Sequence, residues 1–171
     1  TYDIEVTYDQ MKPGQVESQL DQIEIALQQI GPELTGEMAA HYRENTKDGP
    51  LRICITEDEE WQSFNVVATF SVLNNTIELY LWEGKPVPSA NIIHEWGHVY
   101  HRALPRKKYQ GFVDINGGKD GYRPLRKGKR WREQYISEFA AQNPAEDFAE
   151  TFMAMMTGQA PASPEKDSVL Y

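Results

Sequence analysis

The sequence predicts an α+β fold: a small, twisted, mainly antiparallel sheet packed on one histidine-bearing helix, with further helices after it. Short runs of strand character fall at 1–9, 51–56, 66–73 and 76–82, where apolar residues alternate or cluster. Helical spacing of apolar residues marks 16–30 and 89–104. The composition of the 171 residues, 40% hydrophobic and 25% charged, is that of one folded domain burying roughly 68–70% of its unfolded surface. It excludes a disordered chain, a collagen and a coiled coil. No apolar run approaches the ~18–20 residues of a membrane-spanning helix.

In order along the chain, Tyr2, Ile4, Val6 and Tyr8 alternate with polar residues, the pattern of a half-buried strand, and Pro13-Gly14 ends it. Val16, Leu20, Ile23, Leu27 and Ile30 predict an amphipathic helix closed by Gly31-Pro32. A second helix is expected from Glu33 to about Arg43, and Asp48-Gly49-Pro50 is a turn. Leu51–Thr56 reads as a strand, followed by the acidic Glu57-Asp58-Glu59-Glu60, a solvated loop or helix start. Val66–Leu73 and Thr76–Trp82 read as strands joined at Asn74-Asn75. Ser89–Leu104 is helical and Pro105 closes it. Arg106–Gly128, with five glycines, reads as a long loop, and helices are expected at about Arg130–Ala141 and Pro144–Met156, with a poorly ordered tail after Gly158. The expected organisation is one domain over 1–171: strand, helices and sheet to 75, an edge strand and the histidine helix over 76–105, a basic Gly-rich loop over 106–129, two helices over 130–157 and a tail over 158–171.

The net charge of −9 is uneven: Arg102–Arg132 carries eleven Lys/Arg against Asp114 and Asp120, while the remainder is strongly acidic. An acidic body argues against nucleic acid as the partner. The basic stretch either neutralises that body or attracts acidic substrate segments. Cys54 is the only cysteine, so an intramolecular disulfide and a cysteine-rich zinc cage are both excluded. It is expected to be a buried, inert thiol. The start at Thr1, without methionine or a signal-type apolar region, is expected of a trimmed or mature form.

Residues 94–98 read His94-Glu95-Trp96-Gly97-His98, an H-E-x-x-H pentapeptide. On a helix, residues four apart lie one turn apart on the same face, so both imidazoles can reach one zinc ion at about 2.0–2.1 Å. Glu95 points to one side of them, placed to take a proton from a zinc-bound water. Asn91, Glu95, Arg102 and His101 complete a narrow polar stripe, and Ile92, Ile93, Trp96, Val99 and Tyr100 fill the opposite face. His101 is expected to be partly exposed, one turn beyond the metal, and His41 structural.

Catalytic zinc takes three protein ligands and keeps one open position. Because Pro105 ends the helix, the third ligand must come from further on. Asn143-Pro144-Ala145-Glu146-Asp147-Phe148-Ala149-Glu150 offers Glu146 and Glu150 one turn apart. One carboxylate can bind zinc while the other holds a ligand histidine by its free ring N–H. Glu146 has an alternative reading as the N3 residue of a capping box, since Asn143 is a good N-cap and Pro144 fits N1.

The His94–His98 pentapeptide, followed 48 residues later by the Asn143–Glu150 segment, resembles the zinc metallopeptidases of the gluzincin clan, above all the anthrax lethal factor catalytic domain and the Pro-Pro endopeptidases. The resemblance spans about Thr76–Met156. It implies a zincin-like fold, one catalytic Zn2+ bound by His94, His98 and Glu146, Glu95 as general base and Glu150 behind the ligands. The family commonly carries a tyrosine seven residues before the ligand glutamate, to steady the oxyanion, where this chain has Phe139. Tyr135, one turn earlier, is a candidate replacement, as are Tyr122 and Tyr109. In such folds the strand before the histidine helix forms the cleft rim, and extended substrates add to it. Tyr80 and Trp82 then either line a subsite or simply pack, and Asp147 is expected behind the ligands or at the surface. The implied function is peptide-bond hydrolysis by an exported monomer acting on a peptide or protein, with no nucleic-acid or membrane partner. The alternative is a zinc-binding scaffold or recognition module of the same fold.

Overall fold

The computed structural model describes residues 4–8, 11–57, 66–118, 122, 135–159, 165, 166 and 168. The fold is α+β, with a four-stranded mixed sheet and five helices among these residues. The chain groups into two compact units, Thr1–Trp96 and Gly97–Tyr171, and the division falls inside the histidine-bearing helix.

The first unit holds the sheet: β1 (Glu5–Tyr8), β2 (Arg52–Thr56), β3 (Ala68–Ser71) and β4 (Thr76–Tyr80), in the order β1-β2-β4-β3. The expected mainly antiparallel pairing is corrected: β1–β2 and β2–β4 are parallel, and only the β3–β4 hairpin is antiparallel. Two helices, α1 (Pro13–Ile30) and α2 (Pro32–Asn45), separate β1 from β2. A crossover of that length returns the chain to its starting end, which parallel pairing requires. The edge-strand assignment of the Thr76 segment is corrected as well, because β4 is paired on both sides and the edges are β1 and β3. Ile53, Ile55, Ile77, Leu79 and Leu81 are fully buried. Cys54, out of phase with Ile53 and Ile55, is half-buried rather than buried. At the hairpin, Asn75 adopts φ 55° and donates to Thr46 Oγ1 and to the Gly49 carbonyl.

Helix α1 buries Val16, Ile23, Leu27 and Ile30 as expected and Ala26 besides, but Leu20 is exposed and Gln19 takes an inner position. Gln19 earns burial by pairing both backbone groups of Val87: Val87 N–H donates to Oε1 at 2.7 Å, and Nε2 donates to the carbonyl at 3.3 Å. Gly31, at φ 90°, makes the sharp junction to α2, with its N–H on Leu27 O and its carbonyl accepting from Thr35. Of the acidic run, Glu57 lies outside regular structure and 58–60 lie outside the described residues.

Helix α3 (Ser89–Ala103) carries the histidines. In the second unit, Arg106–Ile115 is a helix, α4, where a basic loop was expected. Tyr109, Phe112 and Val113 supply its apolar face at helical spacing, beneath the surface lysines and arginines that dominate the composition. The remainder of the basic stretch, 119–121 and 123–134, lies outside the described residues. The helix expected to reach Ala141 is absent over 135–142, which forms bends and turns. There Ser137 Oγ accepts from Ala140 N–H, a local side-chain bond that competes with helix. Helix α5 (Pro144–Met156) matches its expected span. Within the expected tail Lys166 is fully buried, while Glu165 and Ser168 are exposed and 160–164, 167 and 169–171 lie outside the described residues. No helix among the described residues is long and apolar enough to cross a membrane.

Candidate metal site

Helix α3 sets two donors one turn apart. Its apolar face (Ile92, Ile93, Trp96, Val99) is fully buried, which fixes its rotation, and His94 and Glu95 are buried at 8% and 7% exposure. Helix α5 begins at Asn143, whose Oδ1 accepts from Ala145 N–H at 2.9 Å and Glu146 N–H at 3.1 Å. That cap places Glu146 in the first turn.

The ligand atoms of His94, His98 and Glu146 all lie within 4.8 Å of one another, a grouping that could hold a metal ion. His98 Nε2 and Glu146 Oε2 are 3.4 Å apart. A charge-assisted N–H···O bond would be about 2.7–2.9 Å. Two atoms bonded to one tetrahedral ion at about 2.0–2.1 Å lie about 3.3–3.4 Å apart. The spacing suits two co-ligands of one ion, and a two-imidazole, one-carboxylate set is one that zinc accepts. Asn143 caps the helix with its side chain, and the Glu146 carboxylate lies beside His98.

Helices α3 and α5 meet at a bare point. A Cβ on Gly97 would lie 2.6 Å from the Ala149 Cα and 3.1 Å from its carbonyl oxygen. Gly97 precedes His98 directly, and Ala149 lies between Glu146 and Glu150, so this contact brings the ligand-bearing segments together. Glu150 is half-buried one turn after Glu146.

His101 is half-buried, stacked on Tyr109 at 4.9 Å and edge-on to His98 and Phe148. Its Nδ1 is buried with no hydrogen-bond partner among the described residues. Burial, followed by repulsion from His98 and Arg102, pushes its pKa down to about 4, so it is neutral near pH 7. Tyr135 lies in a buried cluster with Val113, Tyr122, Ala140 and Ala141, its ring edge-on to Tyr122 at 5.4 Å. Burial, then the charge of Asp147, lifts its pKa to about 12. Phe139 is 46% exposed. In the sheet, Tyr80 is buried with its hydroxyl donating to Glu78 Oε2 at 2.6 Å, whereas Trp82 is 42% exposed.

Of the two placements expected for Asp147, the surface one is corrected. The side chain is fully buried and accepts four hydrogen bonds: Lys166 Nζ at 2.7 and 2.8 Å, Tyr122 OH at 2.6 Å and Asn116 Nδ2 at 2.8 Å. Burial raises its pKa, with Lys166 opposing. Asn116, Tyr122 and Lys166 were invisible as partners in sequence, although Asp147 shares the stripe of Thr151 and Ala154 at 147/151/154, all buried. An acid on an apolar stripe needs a partner.

Fold and site together define an α+β protein with a three-residue candidate metal site on two helices. No family model matches the chain, and no curated protein matches it. Among solved structures it is similar to a protein from Bacteroides caccae to which zinc-binding metallo-peptidase function has been ascribed. Identity is 15% and the TM-score 0.49, over 99% of this chain and 76% of that one.

Proposed function

We propose that the chain is a zinc-dependent endopeptidase of the gluzincin kind, resembling the lethal factor and Pro-Pro endopeptidase group, with His94, His98 and Glu146 as ligands. The observation that carries this reading is the 3.4 Å spacing of His98 Nε2 and Glu146 Oε2 within the trio. Zinc held there would supply Lewis-acid polarisation of a peptide carbonyl and of water. Glu95 takes the proton of the attacking water on a carboxylate oxygen and delivers it to the departing amine nitrogen. Glu150 holds a ligand histidine by its free ring N–H. The substrate is a peptide or protein, and an extended one needs a free strand edge, which β4 does not offer. The enzyme acts as an exported monomer without nucleic-acid or membrane partners, consistent with its charge of −9.

Zinc stoichiometry and a fluorogenic peptide library test this. One zinc per chain is expected in the wild type, with loss in His94→Ala and Glu146→Ala. Glu95→Gln should keep zinc and lose about 10²–10⁴ in cleavage rate. A wild type that binds no zinc sinks the reading. The second reading, a zinc-binding scaffold, draws on Phe139, which has no hydroxyl, and on the burial of Tyr135 beside Tyr122 in its cluster, which together leave no evident oxyanion donor. A wild type that binds zinc and cleaves nothing in the library favours it.

A further inference from the structure

The three partners of Asp147 come from separate stretches of chain: Asn116 closes α4, Tyr122 lies beyond it, and Lys166 lies past the end of α5. Asp147 follows Glu146 directly in the first turn of α5. Its Oδ2 receives three donors and its Oδ1 one, which leaves the carboxylate little freedom to turn. Lys166 is itself fixed, with its Nζ 5.0 Å from the Tyr135 ring centroid and 5.5 Å from that of Phe112. Both charged groups have zero exposure. An ion pair that only had to hold the fold together would be replaceable by apolar packing at little cost. This one grips the helix one residue from a proposed ligand, on the side opposite the freedom left by the Asn143 cap, which ties backbone N–H groups but does not restrain rotation about the helix axis.

We propose that Lys166 is a positioning residue: by clamping Asp147 it sets the rotation of α5 and so presents the Glu146 carboxylate at co-ligand distance from His98. The inference rests on the metal-site reading above. Lys166 touches neither ligand nor substrate and acts through Asp147. Outer partners of metal ligands commonly change affinity 10–100-fold when removed.

The test measures zinc affinity by chelator competition, the absorption bands of Co2+ substituted for zinc, and metal-free thermal stability. Its variants are Lys166→Met, the charge-neutral pair Lys166→Met with Asp147→Asn, and Tyr122→Phe. The neutral pair removes the problem of an uncompensated buried charge. If Lys166 positions Glu146, the pair recovers metal-free stability relative to Lys166→Met yet binds zinc about tenfold more weakly than wild type, with altered Co2+ bands. Tyr122→Phe, which keeps the ion pair and removes the two hydrogen bonds of the hydroxyl, to Asp147 and from Asn116, should fold and lose less affinity than the Lys166 variants. Wild-type affinity in the neutral pair, or in Lys166→Met where only that variant folds, overturns the proposal, as does a loss in Tyr122→Phe as large as that of the Lys166 variants. Absence of zinc binding in the wild type itself points instead to failure of the metal-site reading.

Discussion

Gly97 lies inside the histidine helix, where glycine ordinarily weakens a helix by about 1 kcal/mol relative to alanine. Its value is the missing Cβ, because a methyl there would meet the backbone of Ala149 at 2.6 Å. Backbone cannot swing aside as a side-chain tip can, so α5 must move. Gly97→Ala should therefore destabilise, by the about 1–3 kcal/mol usual for overpacking. For a chain of this size that is a fall in Tm of roughly 2–12 °C. Zinc affinity should fall with it as Glu146 is displaced. Gly111 provides the contrast: it lies in α4 with nothing within 4 Å of an added Cβ. Gly111→Ala should stabilise by about 0.5–1 kcal/mol. Opposite signs for the two substitutions in thermal melts are expected, and a Gly97→Ala protein as stable as Gly111→Ala would refute the close crossing. The pentapeptide announced both histidines and the acid between them, but this contact is between residues 52 apart and left no local trace beyond the glycine itself.

At the scale of elements, the first turn of α5 depends on Asn143. One side-chain oxygen satisfies two N–H groups that the helix cannot, those of Ala145 and Glu146. Asn143→Ala should cost about 1 kcal/mol, which corresponds to roughly 2–4 °C in Tm. Asn143→Ser should restore most of it, because a hydroxyl accepts the same bonds. A fully stable Asn143→Ala protein would mean that the cap is redundant. The cap was legible because it is local: Asn, then Pro, then acids, ahead of an apolar periodicity. Helices α1, α2, α3 and α5 were legible for the same reason. Helix α4 was not, since three cations and a glycine masked an apolar stripe of only Tyr109, Phe112 and Val113. The segment 135–142 failed in the other direction: its apolar spacing suits a helix, and the Ser137 hydroxyl on Ala140 N–H turns the backbone elsewhere. Strand order was out of reach too, because the place of β4 between β2 and β3 depends on pairings that periodicity within a strand does not encode.

On the scale of the whole molecule, the metal trio could be read from one pentapeptide and one acidic segment, whereas the buried polar network behind it joins four positions from 116 to 166 and could not. That network has a consequence for bulk stability in alkali. Tyr135 is held up to about 12 by burial and by the Asp147 charge, and Tyr122 is raised further by the same causes and by its bond to Asp147. In the unfolded chain both ionise near pH 10. A raised folded pKa gives stability that is complete below the unfolded value and is lost as pH climbs towards the folded one. Lys166 shifts in the opposite direction, downward through burial. Its unfolded form is half deprotonated near pH 10.5 and almost wholly so by about pH 11.5, so its opposing slope fades across that window. Between about pH 10.5 and 11.5 the two tyrosines should therefore outweigh it, each removing up to about 1.4 kcal/mol of stability per pH unit. Urea midpoints at pH 10.5, 11 and 11.5 measure it. Tyr135→Phe removes one ionisable group while keeping the ring, so its midpoints should decline less steeply than the wild type's by that amount per unit. Parallel declines in the two proteins would show that Tyr135 ionises in the folded state as readily as in the unfolded one, and that its burial beside Asp147 does not hold the phenol protonated.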